Sequence, residues 1–485
     1  MTRLRTRVSR LYSRDGFRGP VVTLLSGTAV TLVLSYLAVP ILTRLFTPEQ
    51  FGISDYFVMM VSVLVTIASL RYEDAMMLPD DRARAASVFR LALLLAVATS
   101  ALVAIATLWG RELAAALRVE AVAPWLWLLG PTLLLMRFTR LSEVWLSREK
   151  AFRTITLGDV ANKVTMLSSR LGAGAATTLG AGGLIGGFAV GQLASGLYYL
   201  TALWRSDTSP LRTLPAPGKL RFVASRYRRF PTFALPSSLL NSIVARLPVL
   251  LLPVYFGFEA VGLFGRAFVA LAVPLSLIGT AVSQVFFVHA AEAYREGRLA
   301  PLTDTVHARL VMLGIFPTIV LVLAGPQLFE FVFGGEWRIA GTYEQYLAPW
   351  FFLSGVASPL TRLFDVLEQQ RTELLISLGT SVALTSALVI GGQAGDIVLT
   401  IGLIALAGGL VRLLQLFVLL RLADVGLRQA LRPYLRYLSI GVPLAVPVWL
   451  IKEVWPPWAV ALTAAVVGLL YVGIVIWKER LLERR

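Results

Sequence analysis

Phe46-Thr-Pro-Glu49-Gln-Phe-Gly52 closes one apolar run of this chain, and Phe256-Gly-Phe-Glu259-Ala-Val-Gly262 closes another. Phe, Glu and Gly match between them at a constant offset of 210 residues. Both stretches hold the same place in the order of apolar runs, after the first and after the seventh. Such runs of about 20 residues recur along the chain, and about 20 helical residues cross a hydrocarbon core of about 30 Å. Lipid offers no partner to backbone polar groups, so each run is expected to be a helix. The alternation over about ten residues that marks an outer-membrane barrel is absent. The expected spans are 21–42, 53–70, 86–109, 122–139, 155–178, 182–204, 230–256, 260–288, 309–333, 345–365, 373–391, 397–420, 434–451 and 458–477. The fifth, seventh and tenth are the least apolar, which leaves twelve or thirteen as the alternative to fourteen. Six spans per copy is an even number, so the copies share an orientation about an axis along the membrane normal.

The expected fold is an all-α polytopic membrane protein of about 14 transmembrane helices, with two six-helix lobes around a central cavity plus two C-terminal helices. Residues 1–20 read as a basic cytoplasmic tail, 21–204 as the N-terminal lobe and 205–229 as a cytoplasmic linker. Residues 230–422 read as the C-terminal lobe, and 423–485 as two further helices with a basic cytoplasmic tail. The linker carries Pro210, Pro215 and Pro217 with seven basic residues. An Arg-rich start (Arg3, Arg5, Arg7, Arg10, Arg14, Arg18) precedes an apolar run too long for a signal-peptide core and reads as a retained first span.

The chain is 57% hydrophobic and 15% charged over 485 residues, with mean hydropathy +0.74. Its net charge is +17. With the N-terminus in the cytoplasm, 34 of the 45 Lys and Arg fall on cytoplasmic tails and loops. Five fall on the opposite face: Arg44, Arg111, Arg118, Arg338 and Lys452. That asymmetry is a positive-inside signal that puts both termini in the cytoplasm. The basic balance is topology plus attraction to anionic membrane lipids, and calls for no nucleic acid.

The remaining six basic residues, Arg90, Lys163, Arg170, Arg246, Arg266 and Arg412, lie inside apolar runs. A charge there costs roughly 2.5–3.5 kcal/mol on insertion scales, and such residues commonly face a bundle interior or a wet cavity. Asp159, Asn162, Lys163, Met166 and Arg170 share one face of the fifth run at i, i+3, i+4, i+7 spacing. Two readings stand: a self-neutralised Asp159–Lys163 pair, or a polar stripe with a cationic grip on cargo. Arg246 and Arg266 have no nearby carboxylate on their own turns and read as cavity-lining. Arg90 and Arg412 lie nearer span ends, where long side chains snorkel. Arg137 and Arg140 end the fourth run on one face and either guide an anion or anchor the span. Arg71-Tyr72-Glu73-Asp74 closes the second run. Ion pairing is its plain reading; gating or proton coupling through Arg71, Glu73 and Asp159 is the functional one.

Enzymatic chemistry finds no support. There is no cysteine, and His289 and His307 are the only histidines, so no Cys–His set, metal site or cofactor is expected. The Gly182/Gly186, Gly183/Gly187 and Gly187/Gly191 pairs have the small-xxx-small spacing that lets helices approach. No Gly-x-x-x-x-Gly-Lys-Ser/Thr loop accompanies them. Loops away from the cytoplasm are short, which opposes membrane glycosyltransferases and polymerases.

Arg44-Leu-Phe-Thr-Pro-Glu-Gln-Phe-Gly52, followed by Leu70-Arg-Tyr-Glu-Asp-Ala75 and Leu78-Pro79, resembles the polysaccharide (O-antigen) flippases. These are the Wzx-type branch of the multidrug/oligosaccharidyl-lipid/polysaccharide exporter superfamily. The resemblance implies a pair of six-helix lobes around a cationic cavity in a bacterial inner membrane. It implies transfer of an undecaprenyl-pyrophosphate-linked oligosaccharide to the periplasmic leaflet for surface polysaccharide or lipopolysaccharide export, with other polysaccharide-export proteins as partners. The cationic role would fall on Lys163, Arg170, Arg246 and Arg266. The rivals are a cation-coupled multidrug exporter and a peptidoglycan-precursor flippase. The first and seventh runs hold no carboxylate, unlike many such exporters, and the Arg-Tyr-Glu stretch leans against the second rival.

Overall fold

A computed structural model of the chain describes residues 14–176, 179–212 and 217–483. Arg3, Arg5, Arg7 and Arg10 lie outside them. Among the described residues the regular structure is helical throughout. The chain divides into two compact units, Met1–Val254 and Tyr255–Arg485.

The first unit contains α1 (Arg14–Leu45), α2 (Pro48–Ala68), a 3-10 turn (Tyr72–Met77) and α3 (Arg82–Ala106). A third 3-10 stretch, Glu120–Leu128, which follows the one at Thr107–Trp109, leads into α4 (Leu129–Arg148). Then come α5 (Phe152–Ala175), α6 (Ala181–Arg205), the short linker helix α7 (Pro217–Arg226) and α8 (Leu235–Val244). Helix α9 (Leu247–Arg295) carries the chain across the unit boundary. The second unit continues with α10 (Leu299–Phe333), α11 (Arg338–Leu360), α12 (Gln370–Ala394) and α13 (Ile397–Leu422), and ends in α14 (Leu427–Ile451) and α15 (Pro457–Glu483).

The expected segments lie mostly on helix within the described residues, with turns at 69–70, 176, 245–246 and 361. Nine helices there are long and apolar enough to cross a membrane. Helices α5 and α11 fall short of that standard, and they carry Asp159, Lys163 and Arg170, and Arg338 and Glu344.

The opening motif is a helix-to-helix turn. Thr47 caps α2: its hydroxyl accepts from the Gln50 amide at 3.3 Å, and the Gln50 side chain accepts from the Thr47 amide at 3.2 Å. This capping box, with Pro48 in the first turn, starts the helix abruptly. At the same motif position 210 residues on, Gly257 interrupts α9 with φ 79° and ψ 177°, a region essentially confined to glycine. The two matching stretches therefore break the helix at corresponding positions by different means, a cap in one and a glycine in the other.

Phe89, Trp145 and Tyr199, each 0% exposed, centre the core of the first unit. Phe89 meets Trp145 edge-on at 6.1 Å. The Gly183/Gly187/Gly191 stripe of α6 lies against α5: side chains added there would meet Ala173, Arg170 and Met166. The expected boundary assigned 230–254 to the C-terminal lobe, but the contacts group that segment with the first unit. Helix α8 packs on α2, where Thr66 Oγ1 donates to Ser242 Oγ at 3.4 Å.

In the second unit the last two helices belong to the main core. Tyr471 of α15 stacks on Phe316 of α10 with centroids 4.7 Å apart. Its hydroxyl donates to the Met312 carbonyl at 2.8 Å.

Candidate functional site

The first unit encloses a polar cavity of about 570 Å³. Its wall is built from α1, α2, the 3-10 turn, α4, α5 and α6. The turn supplies Arg71, Glu73 and Asp74; α4 supplies Arg137, Thr139, Arg140 and Glu143; α5 supplies Asp159, Asn162 and Lys163.

The turn is conformationally unusual. Leu70 (φ 50°) and Arg71 (φ 63°) are consecutive non-glycine residues in the left-handed region, at about 1–2 kcal/mol each. They reverse the chain after α2 so that the next residues reach the cavity. A buried network holds the reversal. Glu73 (1% exposed) accepts from Ser69 Oγ and from Arg137 Nη2, and Arg137 (3% exposed) also donates to Ser69 Oγ at 2.6 Å. A buried guanidinium opposite a buried carboxylate is tolerable because each satisfies the other.

The other charges are closer to the open space. Arg71 pairs with Asp74 at 2.8 Å, and Arg140 with Glu143 at 3.1 Å. Burial lifts the Asp74 carboxyl above the usual carboxylate range; the Glu73 charge adds to this and Arg71 opposes it. Asn162 Nδ2 donates to Ser195 Oγ at 3.1 Å. Lys163 and Asp159, four residues apart on α5, form no ion pair with each other or with any other described residue. The self-neutralised reading of that pair is thus absent from the structure. Arg71 Nε and Thr139 Oγ1 in the same wall have no hydrogen-bond partner among the described residues. The cavity thus presents four basic and four acidic side chains, with Lys163 as its unpaired cation and with donors still available to a polar guest.

Six of the nine residues expected to function are gathered here: Lys163, Arg137, Arg140, Arg71, Glu73 and Asp159. Three are not in the wall. Arg170 is on the same face of α5 as Lys163, but seven residues of rise at about 1.5 Å each carry it deeper along the helix. There Gly187 admits its stem against α6, and its Nε donates to the Leu184 carbonyl at 3.0 Å. Arg246 Nη1 donates to Ser242 Oγ at 3.0 Å, and Ser242 meets the wall residue Thr66, so Arg246 is one side chain behind the wall. Arg266 is half-buried in the second unit. Outside the site, Arg90 Nε donates to the Pro210 carbonyl of the linker at 2.6 Å, and Arg412 bonds Gln415 of its own helix.

Glu143 escaped the sequence reading, although its i, i+3 spacing from Arg140 was a visible signal. No group of three His, Asp or Glu suited to a metal ion occurs among the described residues.

Residues 41–340, more than half of the chain, match a family described as polysaccharide biosynthesis protein. No individual curated protein matches the sequence. Among solved structures, the lipid II flippase MurJ in an inward closed conformation superposes with TM-score 0.68 at 13% identity, over 94% of this chain and 99% of that one. An inward-facing MATE family transporter of the MOP superfamily superposes with TM-score 0.59 at 15% identity, over 81% and 96%. The chain has the fold common to these two.

Proposed function

The chain belongs to the polysaccharide biosynthesis protein family, and from that premise we propose that it is a flippase for a lipid-pyrophosphate-linked oligosaccharide. It moves this cargo from the cytoplasmic to the periplasmic leaflet of the inner membrane for O-antigen or exopolysaccharide export. Fourteen spans with both termini cytoplasmic complete the reading, supported by the charge asymmetry of the loops.

The observation that carries the proposal is Lys163, a cation without an ion pair in a cavity of about 570 Å³ with unpartnered donors beside it. A pyrophosphate supplies the missing negative charge. Arg137 and Arg71, tied to Glu73 and Asp74, set the positions of the wall; Arg140 borders the same space. Arg246 supports the wall through Ser242, and Arg170 adds positive potential farther along α5. The lipid tail stays in the bilayer while the head group is exposed to one side and then the other. An anion of charge about −2 leaving a negative interior gains roughly 4–5 kcal/mol per 100 mV if it crosses the full field. The potential is thus sufficient to bias transport, and proton exchange at Asp159 or Glu73 is an added route.

Asp159, a cavity carboxylate without an ion pair, favours a second reading, a cation-coupled multidrug exporter on the same fold. Reconstituted protein tested with a pyrophosphate-linked glycolipid, its neutral analogue, lipid II and a cationic dye separates the possibilities. Transport of the dye without the glycolipid would reject the flippase assignment. A preference for lipid II would move the cargo to the peptidoglycan precursor.

A further inference from the structure

The linker helix α7 carries a surface that the cavity does not use. From Lys219 to Arg229 the chain holds Lys219, Arg221, Arg226, Arg228 and Arg229 and no acidic residue. All five cations are exposed, and none forms an ion pair among the described residues. One side of the helix is docked on the first unit. Val223 is 2% exposed within the core cluster that includes Tyr72 and Trp145. The Tyr72 hydroxyl donates to the Ala224 carbonyl at 3.0 Å.

Another side of the helix is exposed among the described residues. Lys219, Phe222 and Arg226 follow at i, i+3 and i+7 and form one stripe, with Phe222 57% exposed between the two cations. Charges alone are enough to bias topology, and that role gives no reason for a phenyl ring held outward between them. Burying such a ring away from water is favourable. A helix with apolar residues framed by Lys and Arg lies in the plane of the headgroups, and each cation near an anionic leaflet adds to the attraction.

We propose that α7 and the turn after it form a membrane-docking segment that binds anionic phospholipid headgroups through Lys219, Arg221 and Arg226 of the helix and Arg228 and Arg229 beyond its end, with Phe222 inserted among the acyl chains. A soluble anion would satisfy the cations and leave Phe222 in water, so the occupant is the bilayer. The same helix braces Tyr72, the neighbour of Glu73, so lipid bound at α7 steadies the turn that enters the cavity.

The absence of cysteine allows a single reporter. Ser225, exposed and three residues after Phe222, is replaced (Ser225→Cys) and labelled with an environment-sensitive fluorophore in the full-length protein. The labelled protein is placed in nanodiscs of phosphatidylcholine alone or mixed with phosphatidylglycerol. The expected result is a blue shift and a several-fold loss of iodide quenching in the anionic nanodiscs only. Lys219→Gln with Arg226→Gln, or Phe222→Ser, should abolish both while leaving the thermal midpoint unchanged. Equal signals in neutral and anionic nanodiscs would overturn the proposal, as would variants that behave like the parent. A shift produced in neutral nanodiscs by inorganic phosphate would reassign the site to a soluble anion and overturn it too.

Discussion

Arg137 and Glu73, 64 residues apart in sequence, form an ion pair with side chains only 3% and 2% exposed. The pair ties α4 to the turn after α2 and sets where that turn meets the cavity. Removing one member leaves a buried charge without a counterion, a loss of about 3–5 kcal/mol. Arg137→Ala and Glu73→Ala should each lower the thermal midpoint of the detergent-solubilised protein sharply. The apolar double replacement Arg137→Met with Glu73→Leu should lose less than either. Additive losses in a double-mutant cycle would mean the two side chains are energetically independent.

Lys163 differs from the three arginines of the cavity wall in having no ion pair. If it meets the cargo's charge, Lys163→Gln removes one charge-assisted hydrogen bond, about 1.5–3 kcal/mol, or roughly ten- to hundredfold in flipping of a pyrophosphate-linked glycolipid in proteoliposomes. Lys163→Arg should keep most of the rate, and binding of a neutral analogue should not respond to Lys163→Gln. Equal loss for charged and neutral lipids would assign Lys163 a packing role instead.

Asp74 lies on the 3-10 turn, and burial first, then the Glu73 charge, raises its pKa above 3.8. The folded protein therefore holds this proton more tightly than the unfolded chain does. Its contribution is most favourable in acid, declines as pH rises from 3.8 through the raised value, and is level above that. Asp74→Asn should flatten this decline in thermal stability. The side chain is 34% exposed, so solvent screening keeps the difference small. Superimposable pH profiles for parent and variant would show that the carboxyl titrates as in the unfolded chain.

Gly191 and Gly186 lie on different faces of α6 and should respond oppositely to substitution. A Cβ at Gly191 would approach Met166 Cβ at 2.7 Å and the Asn162 carbonyl at 3.0 Å; one at Gly186 meets nothing within 4 Å. Gly191→Val should therefore force α5 from α6 at about 1–3 kcal/mol. Gly186→Ala should be neutral, or stabilising by up to about 1 kcal/mol as helix propensity improves. Thermal unfolding of the two variants measures the contrast.

Several features of the site were visible in the chain. Asp159, Asn162 and Lys163 lie together because helical spacing alone puts them on one face. The Arg71-Tyr72-Glu73-Asp74 stretch stood out as charge at the end of an apolar run. The stripe spacing of Gly183, Gly187 and Gly191 announced close packing, which α5 and α6 display. Spacing could not separate Lys163 from Arg170, because a helix face has direction but no record of how far along it a neighbour begins to cover it. It also could not reveal that Leu70 and Arg71 adopt left-handed backbone, since neither residue type favours it.

Hydropathy, helical period and the distribution of Lys and Arg are local properties. From them the chain alone established a polytopic helical membrane protein, its repeated turn motif and the residues carrying charge at depth. Pairing is a property of distance between segments far apart in sequence. Only the packing of α4 on the turn after α2 buried Arg137 against Glu73, and only the tertiary arrangement of α5 and its neighbours put Lys163 in the cavity wall without an ion pair. Each charged side chain takes its energy from the groups that tertiary contacts bring within reach, which is why the charged residues were legible beforehand and their roles were not.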